Sequence, residues 1–157
     1  MKRDPNLQDL SRDHHHALVL ARRAERAAET GSDEEVASMW ESIAHAFDSD
    51  LGPHFEVEEH HLLPPLEAAG EDELVGRIRS DHQRLRALCA QTRDDRGRLR
   101  RFGELLREHV RFEESELFPR AEKVLDPSEL VAVADASAAT AAALQRADDR
   151  AKNGAAE

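Results

Sequence analysis

Two eleven-residue stretches of this chain repeat one pattern: HFEVEEHHLLP over His54–Pro64 and HVRFEESELFP over His109–Pro119. Both begin with His, carry Glu-Glu at the fifth and sixth places, and end on Pro. Residues four apart lie on one face of a helix, about one turn from each other. Each stretch can therefore present an imidazole and a carboxylate to the same ion.

The composition favours a single all-helical domain. The chain has 157 residues, of which 39% are hydrophobic and 35% charged, and it contains no Tyr. Ala, Leu, Glu and Arg dominate, and these residues favour helix. This length suits one compact domain with a charged exterior.

Charge and targeting features exclude several classes of partner. The net charge of -11 argues against nucleic acid and against an anionic membrane surface. The single cysteine, Cys89, rules out an intrachain disulfide. No apolar run approaches the roughly 20 residues that cross a bilayer, and the N-terminus MKRDPNLQDL lacks the apolar segment of a signal peptide. The sequence predicts a cytoplasmic protein.

Helix-breaking clusters divide the chain into four amphipathic segments and a fifth that is rich in Ala and weakly amphipathic. Ser32 with Glu35 predicts a capping box, and Ser128 after Pro127 predicts another helix start. The clusters are Thr30-Gly31-Ser32, Ala69-Gly70, Asp94-Asp95-Arg96-Gly97 and Asp126-Pro127-Ser128. The apolar stripes between them are Leu7, Leu10, Ala17, Ala21, Ala24, Ala28; Val36, Trp40, Ile43, Phe47, Leu51; Val75, Ile78, Leu85, Cys89; and Leu99, Phe102, Leu106, Phe112, Leu117.

The four stripes predict an antiparallel up-down four-helix bundle over residues 1–126. Residues 127–157 are expected to form an accessory C-terminal helix and tail, with the final KNGAAE frayed. Gly52-Pro53 falls inside the second segment, where a Pro costs on the order of 3 kcal/mol. We interpret this segment as a kinked, continuous helix, and a break followed by a new helix is the alternative.

Six ionisable residues continue the apolar stripes and therefore point inward. Each of the four helices contributes one His, and two helices add a Glu. A buried carboxylate is costly unless it is paired or bound to a metal. Two metal ions would satisfy this set, with imidazoles as terminal ligands and carboxylates as bridges. The residues are His14, His54, Glu58, His82, His109 and Glu113.

The repeat extends beyond the two long stretches. Asp13-His14 and Asp81-His82 form a second matching pair, so that each half of the chain supplies half of a pseudo-symmetric site. Any one inward His is commonly a hydrogen-bonded core residue, but all six at matched register favour a metal centre. His15 is the alternative ligand on the first helix, although its register would place Arg22 in the core.

The side chains next to the predicted ligands are expected to lie at the protein surface. Asp13 and Asp81 point off the ligand face of their helices, and Glu59 and Glu114 are expected to be solvated. Cys89 continues a core stripe and is expected to be a small buried hydrophobe. Three further histidines are expected at the surface: His45, His60 and His61.

The combined pattern resembles the hemerythrin-like, or HHE cation-binding, family. The similarity rests on Asp13-His14-His15, HFEVEEHHLLP, Asp81-His82 and HVRFEESELFP, and it covers about residues 7 to 125. It implies two non-heme iron ions with carboxylate and oxo or hydroxo bridges. Glu58 and Glu113 would bridge the irons. His14 and His54 would bind one iron, and His82 and His109 the other.

The chain departs from the oxygen-carrying members of that family. Arg86 stands where they have a second His one turn after the third-helix ligand, and Glu113 stands where they have a more distant Asp. Because the site has four His in place of five, one coordination position on an iron is left open. This favours reaction with peroxide over stable O2 carriage. Arg86 would either bias the site toward anions or extend its guanidinium to the surface.

Three functions from different classes follow. The first is a di-iron protein that binds or reacts with O2, peroxide or nitric oxide in sensing, scavenging or storage, with weak peroxidase- or oxidase-like activity as the enzymatic form. The second is an iron donor with labile metal and a protein partner. The third is a structural zinc-binding bundle without redox activity. A partner protein or a homodimer is compatible with each of them.

Overall fold

The computed structural model describes residues 2–91 and 95–155. Within these ranges the fold is entirely helical and contains no β-strand, which confirms the all-α class. Asp94, part of a predicted break, and the last two residues of the predicted frayed tail lie outside the described residues. Among the described residues, no helix combines the length and apolar character that a membrane crossing requires.

The described chain forms five helical stretches, and two of them are interrupted by π turns without a break. The first is α1 (Gln8–Thr30), preceded by a 3-10 turn (Pro5–Leu7). The second comprises α2 (Asp33–Ala46), a π turn (Phe47–Leu51), α3 (Gly52–Val57), a π turn (Glu58–Leu62) and α4 (Leu63–Ala68). The others are α5 (Asp72–Ala90); α6 (Arg96–Phe112), a π turn (Glu113–Leu117) and α7 (Phe118–Val124); and α8 (Pro127–Gly154).

Each π turn ends two residues before a proline, namely Pro53, Pro64 or Pro119. A proline has no amide N–H, and its ring collides with the carbonyl four residues earlier. A wider turn at that carbonyl removes the collision and keeps the chain helical. The second stretch therefore continues through Gly52-Pro53, as the continuous-helix interpretation predicted, and its predicted alternative of a new helix is wrong.

The helix ends agree with the predicted breaks with one shift. Ser32 and Glu35 form the predicted capping box, with Glu35 N–H donating to Ser32 Oγ at 3.1 Å. The last helix begins at Pro127, capped by Asp126, so the predicted start at Ser128 is late. Asp126 and Glu129 form a capping box there, in which the Glu129 carboxylate accepts from Asp126 N–H at 2.9 Å.

The core consists of two apolar clusters, one on each side of the inward polar residues. The first cluster contains Ala17, Ala21, Ala24, Val36, Ile43, Leu51, Phe55, Leu85, Leu99, Phe102, Leu106 and Val110, among others. The second cluster contains Leu7, Leu10, Val57, Leu62, Leu63, Leu66, Val75, Ile78, Leu117, Phe118, Leu130 and Val133, among others. Cys89 packs against the first cluster but is only half-buried, so its predicted burial is incomplete.

Helix α8 covers one side of the second cluster. Leu130 and Val133 are buried there, and α8 also contacts α1, α3 and the second π turn. Beyond Leu144 its residues are exposed, although the helix continues to Gly154, further than the predicted frayed tail allowed.

Candidate metal centre

All six predicted ligands are buried and come together between the two apolar clusters. His14 lies on α1, and His54 lies on α3 with Glu58 at the start of the following π turn. His82 lies on α5, and His109 lies on α6, one turn before Glu113. None is more than 5% exposed: His14, His54, Glu58, His82, His109 and Glu113.

The six residues form two overlapping groups whose possible ligand atoms lie within 4.8 Å of one another. One group is His14, His54, Glu58 and Glu113. The other is His82, His109, Glu58 and Glu113. Both carboxylates belong to both groups, while each His belongs to one, as expected of terminal imidazoles and bridging carboxylates.

The carboxylate oxygens divide between the two groups. Glu58 Oε1 lies 3.0 Å from His54 Nε2, and its Oε2 lies 3.2 Å from His82 Nε2. Glu113 Oε2 lies 2.8 Å from His14 Nε2, and its Oε1 lies 3.0 Å from His109 Nε2. Each carboxylate thus turns one oxygen to each side of the site, which is the orientation of a bridge.

The atoms that face the centre have no hydrogen-bond partner. They are the Nε2 atoms of His14, His54, His82 and His109, and both carboxylate oxygens of Glu58 and Glu113. Their separations are short, but their directions do not fit hydrogen bonds. Buried polar atoms are normally satisfied, and unsatisfied ones indicate a missing ion or another functional role. Imidazole nitrogens and carboxylate oxygens fit first-row transition metals.

Every inward His is held at its other nitrogen by a carboxylate. The Nδ1 atom of His14 lies 2.6 Å from Glu114 Oε1, and that of His82 lies 3.1 Å from Glu59 Oε1. This contact turns Nε2 toward the centre and raises the basicity of the ring as a ligand.

The other two rings are held in the same way. His54 Nδ1 lies 3.0 Å from Asp13 Oδ2, and His109 Nδ1 lies 3.3 Å from Asp81 Oδ2. The two halves of the chain therefore match beyond their ligands. In each half the Asp of the Asp-His pair supports the His that begins the eleven-residue stretch of the same half. The second Glu of that stretch supports the His of the Asp-His pair in the other half.

The prediction that these four carboxylates serve only the surface is wrong for Asp81, Glu59 and Glu114, and Asp13 is exposed as predicted but also contacts a ring. The helical register correctly turns them away from their own ligand neighbours, but each one meets a ring from another helix. Asp81 is only 1% exposed, and Glu59 and Glu114 are half-buried. Asp13 is the most open, with 55% of its side chain exposed. The signal in the sequence was the repeat itself, because ligands alone do not require Asp-His and Glu-Glu to recur.

Arginines bind three of the supporting carboxylates from outside. Arg3 Nη2 donates to Glu114 at 2.9 Å, and Arg77 Nε donates to Asp81 at 3.2 Å. Arg86 donates to both oxygens of Glu59, with Nη2 at 3.0 Å. Arg86 is 40% exposed and supports His82 indirectly through Glu59. Arg86 therefore lies at the periphery of the site, with its guanidinium toward the surface, and not among the residues that face the centre.

The electrostatics of the metal-free site favour imidazolium–carboxylate pairs. Burial opposes the charge on His109, but the nearby carboxylates of Glu113, Asp81 and Glu58 together outweigh it and raise the pKa of His109 to about 10. Burial likewise opposes ionisation of Glu113, yet His109 and His14 hold its pKa below the ordinary value. Contact with His82 lowers the pKa of Glu59 to about 2. A metal at Nε2 must therefore displace protons.

The remaining histidines stay outside the centre. His15 is exposed, whereas its neighbour His14 is buried, so the structure points His14 inward. His45, His60 and His61 are exposed, as predicted.

The fold is an all-helical bundle with a buried cluster of four His and two Glu whose atoms are close enough together to hold metal cations. The family model of the hemerythrin HHE cation binding domain matches residues 6–121. This chain belongs to that family, as the sequence pattern indicated. No curated protein and no solved structure matches it.

Proposed function

We propose that this protein holds two iron ions and that the diferrous form reacts with O2 or peroxide. The observation that supports it most strongly is the sharing of Glu58 and Glu113 by both His groups. His14 and His54 would bind one ion, and His82 and His109 the other. Two ferrous ions supply two electrons, the number that reduces O2 to peroxide or peroxide to water.

The chain's own residues would set the reactivity of this centre. Phe55 stacks on His82 with centroids 3.8 Å apart, and Phe118 stacks on His14 at 5.2 Å. These rings and the apolar clusters above and below cover the centre on the sides that they contact, and low-polarity surroundings there strengthen electrostatic interactions. The supporting carboxylates fix the orientation of the imidazoles. Four imidazole nitrogens and two bridging carboxylates would not fill all coordination positions of two iron ions, which leaves room for a small ligand.

We also propose that the four site-bearing stretches run alternately up and down as an antiparallel bundle, with residues 127–157 as an accessory unit. This order is supported by the core clusters. Along α1 and α5 the chain passes from the second cluster through the His to the first, whereas along the other two stretches it passes from the first to the second. Short connections between the stretches agree with this order.

Single-turnover oxidation would test the proposed chemistry. Protein reconstituted anaerobically with ferrous iron should consume about one equivalent of hydrogen peroxide per chain and gain near-ultraviolet absorption. Glu113→Ala removes a bridge and should lose both signals, whereas Glu116→Ala, an exposed residue of the same π turn, should keep them. Oxidation no faster than that of free ferrous iron would contradict the proposal, and retention of zinc alone would favour a structural bundle.

A further inference from the structure

A cavity of about 630 Å³ extends from the surface to the metal centre. It is lined by α1, α2, the first π turn, α3 and α6. His14, His54, His109 and Glu113 border its buried end, whereas His82 and Glu58 do not. Phe55, which lies against His82, forms part of the wall. The centre is thus open toward one side.

The cavity changes character along its length. Near the centre its wall is apolar and buried, formed by Ala17, Leu20, Leu51, Phe55, Leu106 and Val110. Nearer the surface it is bordered by groups of both charge signs, including Arg23, Glu41 and Asp50. Val19, which also borders it, is 46% exposed, one of the two exposed large hydrophobic side chains in the described residues.

The volume greatly exceeds the need of a diatomic gas or hydrogen peroxide. One water molecule occupies about 30 Å³ in the liquid, so the cavity corresponds to roughly twenty waters. Protein sites for small organic molecules span about 300–1,000 Å³ and combine apolar walls with a few polar groups. This cavity fits that description, and its polar groups at the buried end are the metal ligands themselves.

We propose that the cavity binds an amphipathic organic acid, an aliphatic or aryl chain whose oxyacid group lies at the metal centre. This inference rests on the proposed function, because divalent cations held by Glu58 and Glu113 would bind an anionic oxygen donor at a position that the protein side chains leave free. The apolar wall then receives the chain, and the surface end of the cavity presents Arg23 beside the carboxylates of Asp13, Glu41 and Asp50.

The bound chain would also close the open side of the centre. Its apolar part would displace water from the wall around Leu20 and Leu106, where burial is favourable. The acid group would take the position facing His54 and His109. A diatomic ligand alone does not explain the size and the apolar wall of this cavity, whereas organic acids with an apolar chain do.

Calorimetric titration with decanoate and acetate tests this inference on the anaerobic, ferrous-loaded protein. Decanoate should bind at least tenfold more tightly than acetate, because only decanoate reaches the apolar wall. Ala46→Phe fills the cavity and should weaken decanoate binding at least tenfold without changing acetate binding. Ala44→Phe is the matched control, because Ala44 lies exposed on the same helix and does not line the cavity. It should bind decanoate as the wild type does.

A second cavity variant guards against misfolding of the first. Ser42→Phe narrows the cavity nearer the surface and should also weaken decanoate binding, with metal content and thermal midpoint measured on every sample. Full metal content with no preference for decanoate, or equal binding by wild type and both cavity variants, would overturn this inference and leave the metal centre intact. Decanoate binding that is equal with and without metal would overturn the placement of the acid group. A chain that retains no metal would contradict the proposed function instead.

Discussion

The histidines of the centre are oriented by their contacts at both ring nitrogens. A carboxylate holds Nδ1 of each ring, and Nε2 faces the shared Glu58 and Glu113. A free imidazole can rotate and exchange its tautomers, so this arrangement reduces the entropy that metal binding must overcome. In the proposed metal centre, the carboxylates that support the rings would contribute to metal affinity without touching the metal.

The Asp81→Asn substitution tests that role, because an amide cannot accept the Nδ1 proton of His109 with the strength of a carboxylate. We expect metal affinity to fall by roughly 10- to 100-fold, as measured by competition with a chelator. Asp135→Asn, an exposed change on α8, is the control and should leave affinity unchanged. Equal affinities of the Asp81→Asn variant and wild type would show that Asp81 serves packing alone.

The shifted pKa values predict how the stability of the metal-free protein depends on pH. The pKa of His109 rises from 6.5 to about 10 on folding, so its stabilising contribution is complete below pH 6.5 and is lost as the pH rises toward 10. The pKa values of Glu59 and Glu114 fall from 4.5 to about 2, so their contribution is present above pH 4.5 and is lost in acid.

We therefore expect the metal-free protein to be most stable between about pH 4.5 and 6.5. Urea midpoints measured with a chelator present should fall from pH 6.5 to 9.5. Metal-loaded protein should behave in the opposite way and lose its metal in mild acid, because protons compete for its ligands. A metal-free midpoint that rises with pH above 6.5 would contradict the assigned charge pairs.

At the scale of single elements, the π turns explain how proline-containing helices carry the ligands. Glu58 and Glu113 each begin a π turn, and a proline follows each turn at the same distance. The sequence predicted the inward face of these helices, because the apolar stripe continues across them. It did not predict the π turns, because side-chain periodicity records which face is buried and not which carbonyl each amide reaches.

The packing of α1 on α6 depends on Gly103. A Cβ at this position would lie 2.8 Å from the carbonyl oxygen of Ala21 and 2.7 Å from Glu25 Cγ, closer than packed atoms tolerate. Gly103→Ala should therefore destabilise the protein by about 1–3 kcal/mol in urea unfolding. Gly76→Ala is the matched control on α5, since a Cβ there would meet nothing within 4 Å.

The control substitution should raise stability by about 0.5–1 kcal/mol, because alanine restricts the unfolded chain and favours helix. If both substitutions stabilise the protein to the same extent, α1 and α6 do not pack as closely as described. Opposite signs would support the contact, because propensity alone predicts the same sign for both.

At the scale of the whole molecule, the candidate metal centre joins two halves of the chain that repeat one unit. The inward residues could be predicted from the sequence, because four apolar stripes and a duplicated motif fix their register. The repeat also marked Asp13 and Glu114, but it could not identify the rings that they support, because each acts on a ring from a different helix and spacing along one helix does not identify a neighbour on another. The cavity was equally hidden, since it depends on how α1, α2, α3 and α6 pack around it.

Metal analysis by mass spectrometry on protein purified without chelators or a His-tag, and then reconstituted with ferrous iron, tests the two-metal centre most directly. We expect close to two irons per chain, since both His groups share Glu58 and Glu113. One iron per chain, no iron, or zinc alone would contradict the account, and the buried His and Glu residues would then serve the structure of the bundle.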